Sequence, residues 1–165
     1  MYINKIKFTS MIILTLFLII GCKDSTGITT PENASISGTI TFTGDWPADG
    51  AIAVSLSSNW PPQGAPAASS EITSTDLSNG TYAYIFENVT FGSYASISVS
   101  WQDPNDDNPV TNQHTLGAYG GEYPFFTAYG GTDPTIVTVS ESDHSKTDLD
   151  YSANLIYATS STGGQ

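Results

Sequence analysis

Asp103-Pro104-Asn105-Asp106-Asp107-Asn108 places short oxygen-bearing side chains at alternate positions, and oxygens so spaced can turn inward onto one calcium ion. Asp103, Asn105 and Asp107 fit that opening. The sixth position, however, is Asn108 where such a loop needs glycine, and the twelfth is His114 where it needs a bidentate glutamate. The run therefore reads as a solvated acidic turn, and would hold a cation through water only if other carboxylates converged on it. His114 and His144 are the two histidines, and neither stands near a Gly-x-Ser-x-Gly elbow, a cysteine nucleophile or a His-x-x-x-His pair. Asp143-His144 reads as a polar turn. Carboxylate pairs for glycoside hydrolysis are set in space and leave no spacing along the chain, but a domain of this size rarely carries the long cleft they serve. The expectation is a protein without catalysis and without a cofactor.

Aromatic residues offer a different chemistry. Trp46-Pro47 and Trp60-Pro61-Pro62 sit in turn-like segments, and Tyr119, Tyr123, Phe125, Phe126 and Tyr129 crowd a later one. A rigid, exposed ring can stack on the apolar face of a pyranose while nearby amides and carboxylates bond its hydroxyls. On that reading Trp46, Trp60, Tyr119 and Tyr129 are the candidate ligand-binding residues. The competing reading has the same rings closing the ends of the fold by burying large apolar area, since Trp before Pro commonly marks a packed loop corner. Trp101 continues the Ile97, Val99 alternation and belongs to the core.

Cys22 is the single cysteine of the 165 residues, which excludes an internal disulfide. Ahead of it come Lys5 and Lys7, the apolar run Met11 to Ile20, and the small residue Gly21. A charged start, a short apolar stretch and a small residue make a secretory signal, because a bilayer span needs about 20 apolar residues. Ile19-Ile20-Gly21-Cys22 resembles the bacterial lipobox, which implies diacylation of the Cys22 sulfur, cleavage before it with loss of residues 1–21, and a lipid anchor in the cell envelope, at the outer membrane. Lys23-Asp24 resembles the export tag of Bacteroidetes-type surface lipoproteins, but Ser25 stands where a second acidic residue is expected, so periplasmic and surface display both stay open.

Cleavage there removes two of the four lysines and leaves Lys23 and Lys146, with no arginine, against 16 acidic side chains. Such a surface repels phosphate backbones and anionic headgroups, so nucleic acid is not an expected partner and the lipid must do the tethering. Because one acyl chain binds only marginally, a durable anchor needs several. The partners left are the membrane, through lipid on Cys22, and a glycan or an envelope protein.

The elements that would position these residues are strands. Residues 22–33 are polar, with Gly27 and Pro31, and read as a flexible spacer. From Ala34 the period is two. Ile36, Gly38, Ile40 and Phe42 alternate with Ser and Thr; Ile52, Val54 and Leu56 alternate with Ala53, Ser55 and Ser57; Ala95, Ile97, Val99 and Trp101 alternate with Ser96, Ser98 and Ser100. These are strands with one wet face. Turn signals separate them at Gly44-Asp45, Ala48-Asp49-Gly50, Ser78-Asn79-Gly80 and Gly92-Ser93, with last strands expected at 135–140 and 146–155. The pattern predicts one domain over 34–157: an all-β, antiparallel sandwich of seven to eight strands, preceded by a signal-peptide helix and followed by a loose tail at 158–165.

The stretch SNGTYAYIFENVTFGSYASISVSW at 78–101, together with Ile36-Ser37-Gly38-Thr39-Ile40, resembles the carboxypeptidase regulatory-like domain of the prealbumin (transthyretin-like) sandwiches. That family follows an early Gly-x-Ile/Val strand with Asn-Gly-x-Tyr-x-Phe and then Gly-x-Tyr and a β-branched strand. The likeness covers residues 34–101 and fades where this chain inserts residues 103–132. It implies a non-catalytic spacer, adhesion or accessory module; related sandwiches include starch-binding modules. The reading is a cell-envelope lipoprotein with one structural or interaction module, the alternative being a carbohydrate-binding lipoprotein that uses its loop Trp and Tyr residues.

Overall fold

The computed structural model describes residues 31–158. The expected signal segment at residues 1–21, Cys22, most of the expected spacer and nearly all of the expected tail lie outside the described residues. Ten strands follow one another: β1 (Ala34–Thr43), β2 (Ala51–Ser57), β3 (Ala68–Ile72), β4 (Thr81–Val89), β5 (Gly92–Tyr94), β6 (Ser96–Gln102), β7 (Gln113–Ala118), β8 (Val137–Val139), β9 (Ser145–Lys146) and β10 (Tyr151–Asn154). Eight of them form two four-stranded sheets. The first runs β10-β1-β4 with β9 also on β1, the second runs β3-β2-β6-β7, and β5 and β8 make a separate ribbon. The protein is an all-β sandwich, and among the described residues no helix is long and apolar enough to cross a membrane.

Alternation explains the layering. Ile36, Ile40 and Phe42 of β1 face inward with Tyr84 and Phe86 of β4, while Ile52, Val54 and Leu56 of β2 face inward with Ile97, Val99 and Trp101 of β6. Each such aliphatic side chain, fully buried, contributes about 1.5–3 kcal/mol. Tyr82, on the same face of β4, is only half buried, its hydroxyl 3.3 Å from Ser70 Oγ at the rim. The Asn79-Gly80 turn behaves as its residue types demand: both have positive φ (52° and 77°), and Ser78 and Thr81 exchange both backbone hydrogen bonds across it. After β4 the Tyr94 hydroxyl donates to the Thr90 carbonyl at 2.6 Å, closing the corner that leads into β6.

The C-terminal segment differs from a simple closing hairpin. In place of one strand over 146–155 there are two short ones, β9 and β10, both parallel to β1. Between them the chain leaves the ladder and passes over Gly38, where a Cβ would meet the Leu149 backbone and, at 2.9 Å, the Tyr84 hydroxyl. Leu149 donates its N–H to Ser37 and accepts the Tyr84 hydroxyl at 2.8 Å. Glycine in β1 is thus the vacancy that admits a crossing backbone, which is why its place on the inward face carries no side chain.

One expectation is corrected. Ser96 and Ser98 stand on the face of β6 that alternation makes wet, yet both are buried, as are Ser57 and Thr115. Period two decides which residues share a face; it does not say whether loops will lie over that face, and here they do.

Candidate functional site

The cover over the second sheet is the feature that makes a site. The β2–β3 loop leaves one end of the sheet and the β6–β7 loop leaves the other, as the β2–β6 register of Ala51 with Gln102 and Ser57 with Ser96 requires. Both fold toward the outer face. Between them runs a groove of about 870 Å³, within the size range of small-molecule sites. Its floor is made of Ala53, Ser55, Ser69, Ser98, Ser100 and Thr115, with Ser57 and Gln113 at its margins; one wall carries Trp60, Pro61, Pro62 and Pro66, and Pro109, Val110 and Phe126 complete the rim.

Strand register sets the floor. Ser55 pairs with Ser69 of β3 on one side and with Ser98 of β6 on the other, so three serines line up across three strands. The adjacent row runs from Ala53 through Ser100 to Thr115. Ser55 and Ser69 share a hydroxyl contact at 3.2 Å, and Ser100 Oγ donates to Gln113 Oε1 at 2.9 Å. A β-bulge between Val99 and Ser100 shifts the β7 register, so that Thr115 lies opposite Ser100.

Trp60 is anchored by both of its chemical features. The indole stacks on Phe126 with ring centroids 5.3 Å apart, and its Nε1 donates to the Phe125 carbonyl at 2.9 Å. Tyr129, exposed, meets the edge of Phe126 at 6.0 Å. The inserted loop that carries them is held by Phe125, which is buried at positive φ, and by Tyr123 stacked on Tyr157 at 4.1 Å.

Of the four ring residues singled out in the sequence, Trp60 and Tyr129 are joined through Phe126. Trp46 lies against Phe42 at 5.6 Å, partly buried on the core, and Tyr119 is likewise partly buried against the core at the end of β7. Asp103 turns back on its own loop, its Oδ1 accepting the Asn105 backbone N–H at 2.8 Å. Asp106 accepts the Thr111 hydroxyl and the Asn108 N–H, the bonds that hold its carboxyl below the ordinary value. Asn105 and Asp107 are exposed on that loop. Among the described residues no three His, Cys, Asp or Glu side chains gather for a metal. His114 packs on Trp101 at 5.4 Å, and His144 contacts the Glu141 carbonyl.

The serine floor is what the sequence reading passed over. Its signal was present in the alternating serines of β2 and β6, two strands whose outward positions carry small hydroxyls and no lysine or glutamate, which freely solvated strands usually carry. Searches of this chain against protein-family models, curated proteins and solved structures find no match. The class defined by fold and site is therefore a two-sheet β-sandwich with a loop-walled groove on one outer face.

Proposed function

We propose that this chain is a non-catalytic binding module, tethered to a bacterial cell envelope through lipid on Cys22, whose ligand site is the groove over the second sheet. The observation that carries the binding role is the lining itself. Serine, threonine and glutamine side chains face the groove beside proline and aromatic walls, and among the described lining residues there is no carboxylate, imidazole, amine or thiol. A serine in such a place has no neighbouring base to activate it, so the arrangement suits holding a ligand in place of transforming one. The tether rests on Lys5, Lys7, the run to Ile20 and the Gly21-Cys22 pair, with the outer membrane as its proposed location. The likeness of residues 34–101 to carboxypeptidase regulatory-like domains supports the same non-catalytic role.

Metabolic labelling with an alkyne fatty acid tests the tether. The wild-type chain should take up label and partition with membranes. Cys22→Ser should take up none and keep its leader, since the hydroxyl does not replace a thiolate as acyl acceptor. Label on the Cys22→Ser protein would overturn the anchor.

A further inference from the structure

We infer that the groove takes a short, uncharged glycan laid across the strands, with the Trp60 ring against a sugar face and the serine rows beneath its hydroxyls; this rests on the reading of the chain as a binding module. Ser69, Ser55 and Ser98 occupy neighbouring register positions on β3, β2 and β6, so at about 4.8 Å between strands they set hydroxyls along roughly 10 Å. Each hydroxyl both donates and accepts, which matches a ligand whose own groups are hydroxyls. Ser57, Ser98 and Thr115 are only 5%, 4% and 8% exposed, line the groove, and make no side-chain hydrogen bond among the described residues. Their oxygens still open onto the groove, and each can donate to or accept from a ligand hydroxyl.

Other ligand classes fit less well. A carboxylate or phosphate would find no counter-charge among the described lining residues, and the acidic surface opposes anions further. An extended peptide binds sheets by adding to an unpaired edge, whereas this floor is a sheet face whose β2 and β6 backbone groups are already spent on each other. The wall is prearranged: Trp60 is held by Phe126 and by the Phe125 carbonyl, so little entropy remains to be lost when a ring stacks on it.

Calorimetric titration of the full-length protein in detergent decides the matter. The neutral probes are cellopentaose, maltopentaose, xylopentaose, mannopentaose and laminaripentaose, and pentagalacturonic acid is the charged comparison. At least one neutral probe should bind saturably and with little dependence on salt, and the uronic probe should not. Trp60→Ala should weaken that binding about tenfold or more, by analogy with base stacking on aromatic rings. Because Trp60 also braces the inserted loop, the doubly substituted Ser55→Ala, Ser100→Ala protein, altered only on the floor, provides an independent reading and should lose several-fold in affinity. No binding of any neutral probe at millimolar concentration, tighter binding of the uronic probe, or affinity unmoved by the serine pair would each overturn the glycan assignment. Labelling at Cys22 is unaffected by any of these results, so the tether stands or falls separately.

Discussion

The Trp60 indole nitrogen and the Phe125 carbonyl oxygen, 65 positions apart in sequence, meet at 2.9 Å. That bond ties the β2–β3 loop to the inserted segment after β7, and so joins the groove wall to a part of the chain that contributes no strand to either main sheet. Shape on the outer face of the second sheet depends on two loops bracing each other.

Trp60→Phe keeps a ring to stack on Phe126 and removes the donor. A net loss of about 1 kcal/mol is expected from the missing hydrogen bond, read as a lower denaturation midpoint. Hydrogen exchange should quicken in the 125–129 segment while β2 and β6 amides hold. Unchanged exchange there would mean that the indole bond does not restrain the loop.

Gly117→Ala should destabilise the sandwich by about 1–3 kcal/mol through overpacking. Gly117 is where the edges of the two sheets close on each other, and a methyl there would run into the Ser152 carbonyl and, at 2.8 Å, the Ala153 Cα. Both obstacles are backbone and cannot rotate aside. Chemical denaturation checks it, and an unshifted midpoint would place the sheet edges farther apart.

Val99→Ala and Ser98→Ala lie on adjacent residues of β6 and face opposite ways. Val99 is wholly buried between the sheets, so its truncation should cost about 1–3 kcal/mol through lost burial and a cavity. Ser98 faces the groove, and its loss should move stability by no more than about 0.5 kcal/mol. Equal effects on the denaturation midpoint would contradict the assignment of the two faces.

Alkaline pH should weaken the fold through Tyr84. Burial first, and then the negative charge of Asp150, push its phenol well above the ordinary value of 10.0; burial does the same to Tyr151. Above pH 10 the unfolded chain releases these protons while the folded chain still holds them, so stability is complete below pH 10 and falls as pH rises beyond it. Tyr84→Phe gives up the 2.8 Å bond to Leu149, worth about 1 kcal/mol at neutral pH. It should also make the decline above pH 10 shallower. Denaturation midpoints at several pH values for both proteins check it, and parallel curves would exclude Tyr84 as a titrating group.

Much of the architecture was legible because strand alternation is a local property. Ile36, Ile52, Val54, Ile97 and Trp101 declared the inward faces from spacing alone, and Asn79-Gly80 declared its turn because few residue pairs accept positive φ twice. The near absence of basic residues likewise needed no fold to be read as a charge balance. Alternation could not say what covers an outward face. The burial of Ser96 and Ser98, and the assembly of Ser69, Ser55 and Ser98 into one floor, depend on pairing register and loop paths.

The rings divided for the same reason. Sequence grouped Trp46, Trp60, Tyr119 and Tyr129 by type; the tertiary structure set Trp46 on Phe42 and joined Trp60 to Tyr129 through Phe126. It also laid β10 parallel to β1, more than 100 positions earlier in the chain. Residue types and short spacings determined the class of fold, the turns and the core positions, since those follow from steric and hydrophobic preferences within a few residues. The groove was decided only in three dimensions, because its walls and floor come from segments whose meeting is governed by how two sheets and three loops pack.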